Sequence, residues 1–368
     1  MLNILSKIPF YKSFYAFGFP KMLPINYTIS LTYSCNSKCQ TCRIYKRKAN
    51  ELKLLEYKKI FLSLKKSPYW VTFSGGEPFL RKDINEIVKS FYDICEPKII
   101  NIPTNGILTT QILHHVKEIC EHCKKAQIII NLSLDGVEEQ HDRIRNFTDG
   151  YKKAINTYNE LKALEFTNLS VGIHTVVSKF NINHFSAIAN HLMNLNPDQY
   201  ITEIAEERNE LQTMGMDFTP DIVHYRAVAD FLIHRIKNTR TEKRINRIAQ
   251  AFRIEYYNLV KTLLRDKKQV IPCYAGITSC QISPDGDVWV CCIKATSLGN
   301  LRDNKYSFSK IWFNRFMNNE REEIKIQKCF CPMANVAYTN MLMDIKTLFR
   351  VACKNLIFKV TNKINSSG

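Results

Sequence analysis

Between about residues 26 and 205 the chain alternates short runs rich in Ile and Val with longer stretches whose apolar residues recur three and four positions apart. The first pattern predicts strands at 26–33, 70–74, 98–103, 127–134, 169–177 and 199–204, and the second predicts helices between them, such as 52–65 and 84–92. Alternating βα units build a parallel sheet, and strands this apolar are expected to be covered on both faces. Six such units predict an α/β fold built around a parallel sheet.

Beyond residue 205 that rhythm stops. Residues 206–269 read as a helical, basic connector with apolar positions such as Phe231, Ile233 and Ile236. From 270 to 335 cysteines return among β and turn signals, notably Pro284-Asp285-Gly286, and outline a small domain that a metal centre would help to stabilise. The flanks are distinct again. Residues 1–25 form an aromatic and basic extension, and 336–368 a basic amphipathic tail with Met341, Ile345, Leu348, Ala352 and Leu356 on one side and Lys346, Arg350 and Lys354 on another. Such a tail either packs as a helix or lies on an anionic membrane surface.

Composition narrows the picture. The apolar fraction of 45% and charged fraction of 23% are those of a folded globular protein. Fifty-two Lys+Arg against 34 Asp+Glu leave a formal +18, which favours an anionic partner, although no nucleic-acid-binding motif is present and nucleic acid is not expected as the partner. No apolar run approaches the ~20 residues of a membrane span. Thirteen cysteines without a secretory opening fit thiolates used as ligands in a reducing, cytoplasmic setting, with peripheral attachment to the inner membrane face left open by the tail.

Three of those cysteines, Cys35-Asn-Ser-Lys-Cys39-Gln-Thr-Cys42, fall in one loop after the first strand. A purely structural zinc site closes with four ligands, whereas three leave a metal position open for chemistry. This C-x-x-x-C-x-x-C spacing, followed by Gly75-Gly76-Glu77-Pro78 after the second strand, resembles the radical S-adenosylmethionine (SAM) superfamily. The resemblance implies an α/β fold of the partial (β/α)6 barrel kind, with a [4Fe–4S] cluster on Cys35, Cys39 and Cys42 and SAM on its open iron. It further implies that Gly75, Gly76, Glu77 and Pro78 meet SAM's amino group, with Asn105, Ser133 and Arg145 completing the pocket. Ser133-Leu134-Asp135-Gly136 and His141-Asp142-Arg143-Ile144-Arg145 are similar to members with a C-terminal SPASM domain, Asp135 reading as a turn residue. Thr41 stands where the family commonly has an aromatic residue against the adenine, which leaves Ile44 or Tyr45 for that contact.

Cys273, Cys291, Cys329 and Cys331, with Gly299-Asn300-Leu301 and Ile311-Trp312, resemble a SPASM or twitch domain, which implies one auxiliary [4Fe–4S] cluster. Cys292 is the alternative to Cys291, and zinc the alternative metal. Cys95, Cys120 and Cys123 read as ordinary buried thiols. The activity implied is reductive cleavage of SAM to a 5′-deoxyadenosyl radical that abstracts hydrogen from a peptide or lipid-like substrate, with electrons from a donor such as ferredoxin or flavodoxin. His174 and Glu203, late in the fifth and sixth strands, are candidate substrate-side groups. The competing expectation is a non-catalytic, metal-stabilised protein that binds an anionic partner.

Overall fold

The computed structural model describes residues 2–239, 244–326 and 329–364, so residues 240–243 of the expected connector, 327–328 of the small domain and 365–368 of the tail lie outside the described residues. The chain divides into two compact units. Residues 21–219 with 275–321 carry the sheet, and residues 1–20, 220–274 and 322–368 are helical.

In the first unit β1 (Asn26–Thr32), β2 (Trp70–Gly75), β3 (Ile99–Thr104), β4 (Gln127–Ser133), β5 (Leu169–Val177) and β6 (Gln199–Ile204) lie side by side in sequence order, every neighbouring pair parallel. This is the expected partial barrel, an unclosed six-stranded βα sheet. Two further strands join it beyond β1. β7 (Ser279–Ile282) runs parallel to β1, with Asn26 opposite Ser279, and β8 (Val288–Trp289) turns back antiparallel through Pro284-Asp285-Gly286, where Gly286 has φ +91°. The hairpin of the cysteine-bearing segment thus continues the barrel's own sheet.

Strand faces differ from the sequence expectation in one respect. β3 buries Ile100, Ile102 and Thr104 while Ile99, Asn101 and Pro103 stay half-buried, the period-2 alternation of a strand with two unlike faces. The apolar face packs under helices: Phe73 of β2 meets Phe91 of the helix Ile84–Cys95 edge-on at 5.4 Å. The opposite face is polar. Asn101 Nδ2 donates to Thr72 Oγ1 (3.4 Å), Asn131 Nδ2 to Asn101 Oδ1 (2.9 Å) and Gln199 Nε2 to Asn131 Oδ1 (3.3 Å), an amide ladder running from β2 to β6. Gly172 of β5 lies between the last two, where a Cβ would sit 2.3 Å from Asn131 Oδ1, so only glycine lets the ladder pass. The polar groups of this inner face are satisfied by hydrogen bonds to one another across the strands, as buried polar groups must be.

The helical unit contains Ile8–Phe17, Ile222–Asn238, Arg244–Asp266, Ala334–Met343 and Ile345–Ile364. Asp221 caps the second of these by accepting from His224 N at 2.9 Å. Glu255 on the third is 5% exposed and accepts from Arg350 Nε and Lys354 Nζ, each at 2.6 Å, which fastens the last helix to it.

Candidate active site

Side chains at the carboxyl ends of parallel strands converge on one face of the sheet, and the unusual residues of this chain follow those ends. The cysteine loop leaves β1 after Thr32 and is held from two sides. Ser37 Oγ donates to Arg145 O (2.7 Å) and lies 3.3 Å from Cys39 Sγ, while Gln40 N donates to Ile144 O (2.9 Å) and Gln40 Nε2 to Arg143 O (3.0 Å). Below it Tyr33, Ile44 and Trp289 form a buried cluster against which Cys35 and Cys42 pack. Burial pushes the Cys35 thiol up to about 11 and the Cys42 thiol up to about 12, the neighbouring Cys39 adding to both. Buried thiols of this kind ionise when positive charge is brought to them, which a bound metal would supply. The loop therefore fits a metal cluster by its chemistry. Among the described residues, no three His, Cys, Asp or Glu side chains converge as the ligands of a single ion would.

Beside the loop, Gly75 and Gly76 permit a close backbone approach. A Cβ at Gly76 would lie 2.1 Å from Ser34 O, and one at Gly75, whose φ is +127°, 2.2 Å from Thr32 O. The glycines expected to approach SAM are in this structure what lets the end of β2 meet the first residues of the cysteine loop. Glu77 follows, 1% exposed, with its carboxylate accepting from Thr104 Oγ1 (2.9 Å), Asn105 N (2.8 Å) and, more weakly, Phe79 N (3.3 Å). Burial pushes its carboxyl up to about 7, against the pull of those donors. Pro78 opens the short 3-10 turn Pro78–Leu80 that fixes this geometry. Asn105 Nδ2 donates to Asn36 Oδ1 at 2.7 Å, and its own Oδ1 accepts from Ile107 N at 3.0 Å, so it ties the Glu77 pocket to the cysteine loop while shaping a turn.

Arg145 stands 2.7 Å through Nε from Asp135 Oδ2, and its Nη1 reaches Cys39 Sγ at 3.7 Å. Asp135, expected as a turn residue, is 2% exposed and also accepts from Val176 N at 2.8 Å. His141, part of the segment recognised in the sequence but given no role of its own there, accepts through Nδ1 from Asp135 N (3.3 Å), and burial lowers its pKa to about 4, so the ring is neutral. Ser133 is half-buried at the end of β4, opposite His174 on β5. Ile44 is consumed in the core, which leaves half-buried Tyr45 as the more accessible of the two side chains considered for the adenine.

Farther along the same strand ends, His174 Nε2 lies 3.7 Å from Glu203, and Arg208 Nη2 lies 3.6 Å from Glu203 and 3.2 Å from Glu206. Burial pushes Glu206 up to about 7; Arg208 is held cationic because Cys292, Glu206 and Glu203 outweigh its desolvation. Arg208 and Glu206 could not be read from the sequence, since they belong to a loop after β6 without a recognisable motif. That loop crosses back over the sheet, with Asn209 N donating to Ile293 O (3.1 Å), Arg43 N to Leu211 O (3.1 Å), and Glu210 accepting from Ser30 Oγ (3.1 Å).

The second cysteine set is distributed over both units. In the helical unit Cys273, Cys329 and Cys331 line one small cavity of about 30 Å³ with Gln269 and Asn340. In the sheet unit Cys291 is half-buried, whereas Cys292 is fully enclosed and faces the charge of Arg208 and Glu210. Cys95, Cys120 and Cys123 are buried, and burial alone or chiefly drives each thiol up to about 12.

Comparison with known proteins extends this geometry. Residues 29–192 match the family model of the radical SAM superfamily, and residues 273–332 match that of the SPASM iron–sulfur cluster-binding domain. The chain is 24% identical over 298 residues to the antilisterial bacteriocin subtilosin biosynthesis protein AlbA of Bacillus subtilis, covering 77% of this chain but 59% of that protein, less than two thirds of its length. It is 30% identical over 167 residues to a GTP 3′,8-cyclase of Clostridium botulinum, covering 42% and 48% of the two chains. Among solved structures, Streptococcus suis SuiB bound to S-adenosylmethionine superposes with a TM-score of 0.59 at 16% identity, over 81% of this chain and 68% of that one. The same protein bound to its precursor peptide SuiA gives 0.57, over 81% and 67%. At that identity the likeness establishes the fold.

Proposed function

The chain belongs to the radical SAM superfamily and carries a C-terminal SPASM iron–sulfur domain, and from that premise we propose that it cleaves SAM reductively and uses the product to modify a peptide. In this reading Cys35, Cys39 and Cys42 hold a [4Fe–4S] cluster with one open iron. Cys273, Cys291, Cys329 and Cys331 hold an auxiliary [4Fe–4S] cluster. When bound, the first cluster and SAM supply one-electron cleavage to methionine and a 5′-deoxyadenosyl radical that abstracts hydrogen from an unactivated carbon.

The observation that carries the proposal is Glu77: a fully buried carboxylate met by three neutral donors and linked through Asn105 to the cysteine loop. A buried carboxylate so arranged is a receptor for an ammonium group, which SAM's methionyl end provides. Arg145, beside Asp135 and Cys39, holds its guanidinium at the loop for a carboxylate, and Ser133 offers its hydroxyl from the next strand end. Tyr33, Ile44 and Trp289 exclude water from beneath the thiols. His174, Glu203 and Arg208 supply polar groups on the substrate side.

A peptide substrate is favoured over a nucleotide or lipid because AlbA is a bacteriocin biosynthesis protein and SuiB has been solved with a precursor peptide. An external one-electron donor such as ferredoxin or flavodoxin completes the cycle. The non-catalytic alternative is set aside, since family membership makes the chain an enzyme.

Electron paramagnetic resonance of the reconstituted, reduced protein tests the assignment. Two overlapping cluster signals are expected, one of which changes shape when SAM is added. In a Cys35→Ala, Cys39→Ala, Cys42→Ala variant only the SAM-insensitive signal should survive. A SAM-sensitive signal in that variant would overturn the ligand assignment.

A further inference from the structure

The helix Ile345–Ile364 is packed on one side and anomalous on the other. Thr347 and Val351 are buried, 2% and 5% exposed, and Arg350 and Lys354 pair with Glu255, which defines the inward side. At ~100° per residue, Phe349, Ala352 and Leu356 fall within ~40° of Ile345. That stripe points outward, with Ile345 64%, Phe349 70% and Leu356 59% exposed. A surface helix ordinarily presents polar residues there. Exposed Lys346 and Lys359 border the stripe, and from residue 345 to the last residue given there are five Lys+Arg and no Asp or Glu.

Charge is distributed in the same sense over the whole unit. Its 122 residues hold 21 Lys+Arg against 8 Asp+Glu, a surplus of 13 out of the chain's 18, although the unit is a third of the chain. An outward apolar stripe bordered by lysines on a strongly basic body is complementary to a surface that offers anionic headgroups above hydrocarbon. A nucleic acid would leave the stripe unused, and a second copy of this chain would set like charges against each other. No helix among the described residues is long and apolar enough to cross a bilayer, so a contact made by this face lies flat.

We propose that the outward face of the helix Ile345–Ile364, with the basic unit that carries it, docks this protein on an anionic membrane surface. Apolar side chains enter the headgroup boundary and Lys346 and Lys359 reach the phosphates. Nothing in this contact depends on the iron–sulfur centres, so its test is separate from that of the catalytic reading.

The experiment is co-sedimentation of the full chain with vesicles of phosphatidylcholine alone or mixed with phosphatidylglycerol. Binding is expected to be at least about tenfold tighter to the mixed vesicles. A Phe349→Ser, Leu356→Ser variant, altered only at exposed positions, should lose about tenfold or more while its melting temperature holds. Lys346→Gln and Lys359→Gln should each cost about fivefold. Equal binding to both vesicle types, or undiminished binding by the Phe349→Ser, Leu356→Ser variant, would overturn the proposal. So would a dimer, seen by sedimentation equilibrium, that this variant dissolves while the parent ignores vesicles, because the stripe would then belong to a second copy.

Discussion

Glu77 shows how much a single side chain can be asked to do. Its carboxyl ionises near 4.5 in an unfolded chain and is pushed up to about 7 by burial in the folded one. The folded protein therefore holds that proton longer, and the residue costs stability progressively as pH rises from about 4.5 to about 7. An incoming ammonium reverses the preference, so SAM affinity is expected to rise with pH through about 7. Glu77→Gln should weaken SAM binding by about tenfold or more, since a charged hydrogen bond contributes ~1.5–3 kcal/mol, and should abolish that pH dependence. Equilibrium dialysis between pH 6 and 8 reads both effects, and a variant that keeps the parent's pH profile would remove Glu77 from the ammonium site. The cysteine spacing and the Gly-Gly-Glu-Pro run were legible in the sequence because each is local. The Arg145–Asp135 pair was not: Asp135 before glycine has the chemistry of a turn residue, and its carboxylate is placed against the guanidinium by a contact from another strand, Val176 N donating to its Oδ1 at 2.8 Å. His141 stood in a recognised segment, but its contact with the Asp135 backbone N–H was not legible for the same reason.

At the level of elements, the six strands were readable to within a residue or two because each is a short run enriched in β-branched and aromatic side chains and bounded by turn signals. Their polar inner face was not. In Ile-Ile-Asn-Ile-Pro-Thr of β3 the alternation is present, but half-buried Ile99 masks it. The amide ladder becomes visible only when Thr72, Asn101, Asn131 and Gln199 are set side by side. The loop after β6 was likewise opaque, its function being to carry Arg208 across the strand ends by backbone hydrogen bonds that any sequence can make. The joint between β2 and the cysteine loop is the most demanding element. A methyl at position 76 would collide with Ser34 O at 2.1 Å, and the obstacle is backbone, which cannot rotate away. Gly76→Ala is therefore expected to displace the loop and reduce iron loading by about half, to the auxiliary cluster alone, while the βα sheet persists with an unchanged far-ultraviolet circular dichroism spectrum. Full iron content in that variant would show that the loop tolerates the shift.

For the whole molecule, composition gives the sign of the charge without saying where it lies. The +18 charge is not spread evenly: the helical unit carries 13 of it, and that concentration appears only after three separated stretches of sequence are seen to form one body. The SPASM-like segment is divided in the same way, with Cys273, Cys329 and Cys331 in the helical unit and Cys291 and Cys292 in the unit that holds the barrel. The central claim, that the loop of Cys35, Cys39 and Cys42 makes this chain a SAM-cleaving enzyme, is tested most directly by measuring 5′-deoxyadenosine after anaerobic reconstitution, reduction and addition of SAM. The account predicts 5′-deoxyadenosine from the parent protein and from a Cys329→Ala, Cys331→Ala variant, and none from the variant lacking the three loop thiols. A parent protein loaded with iron that forms none, or a loop variant that forms as much as the parent, would contradict it.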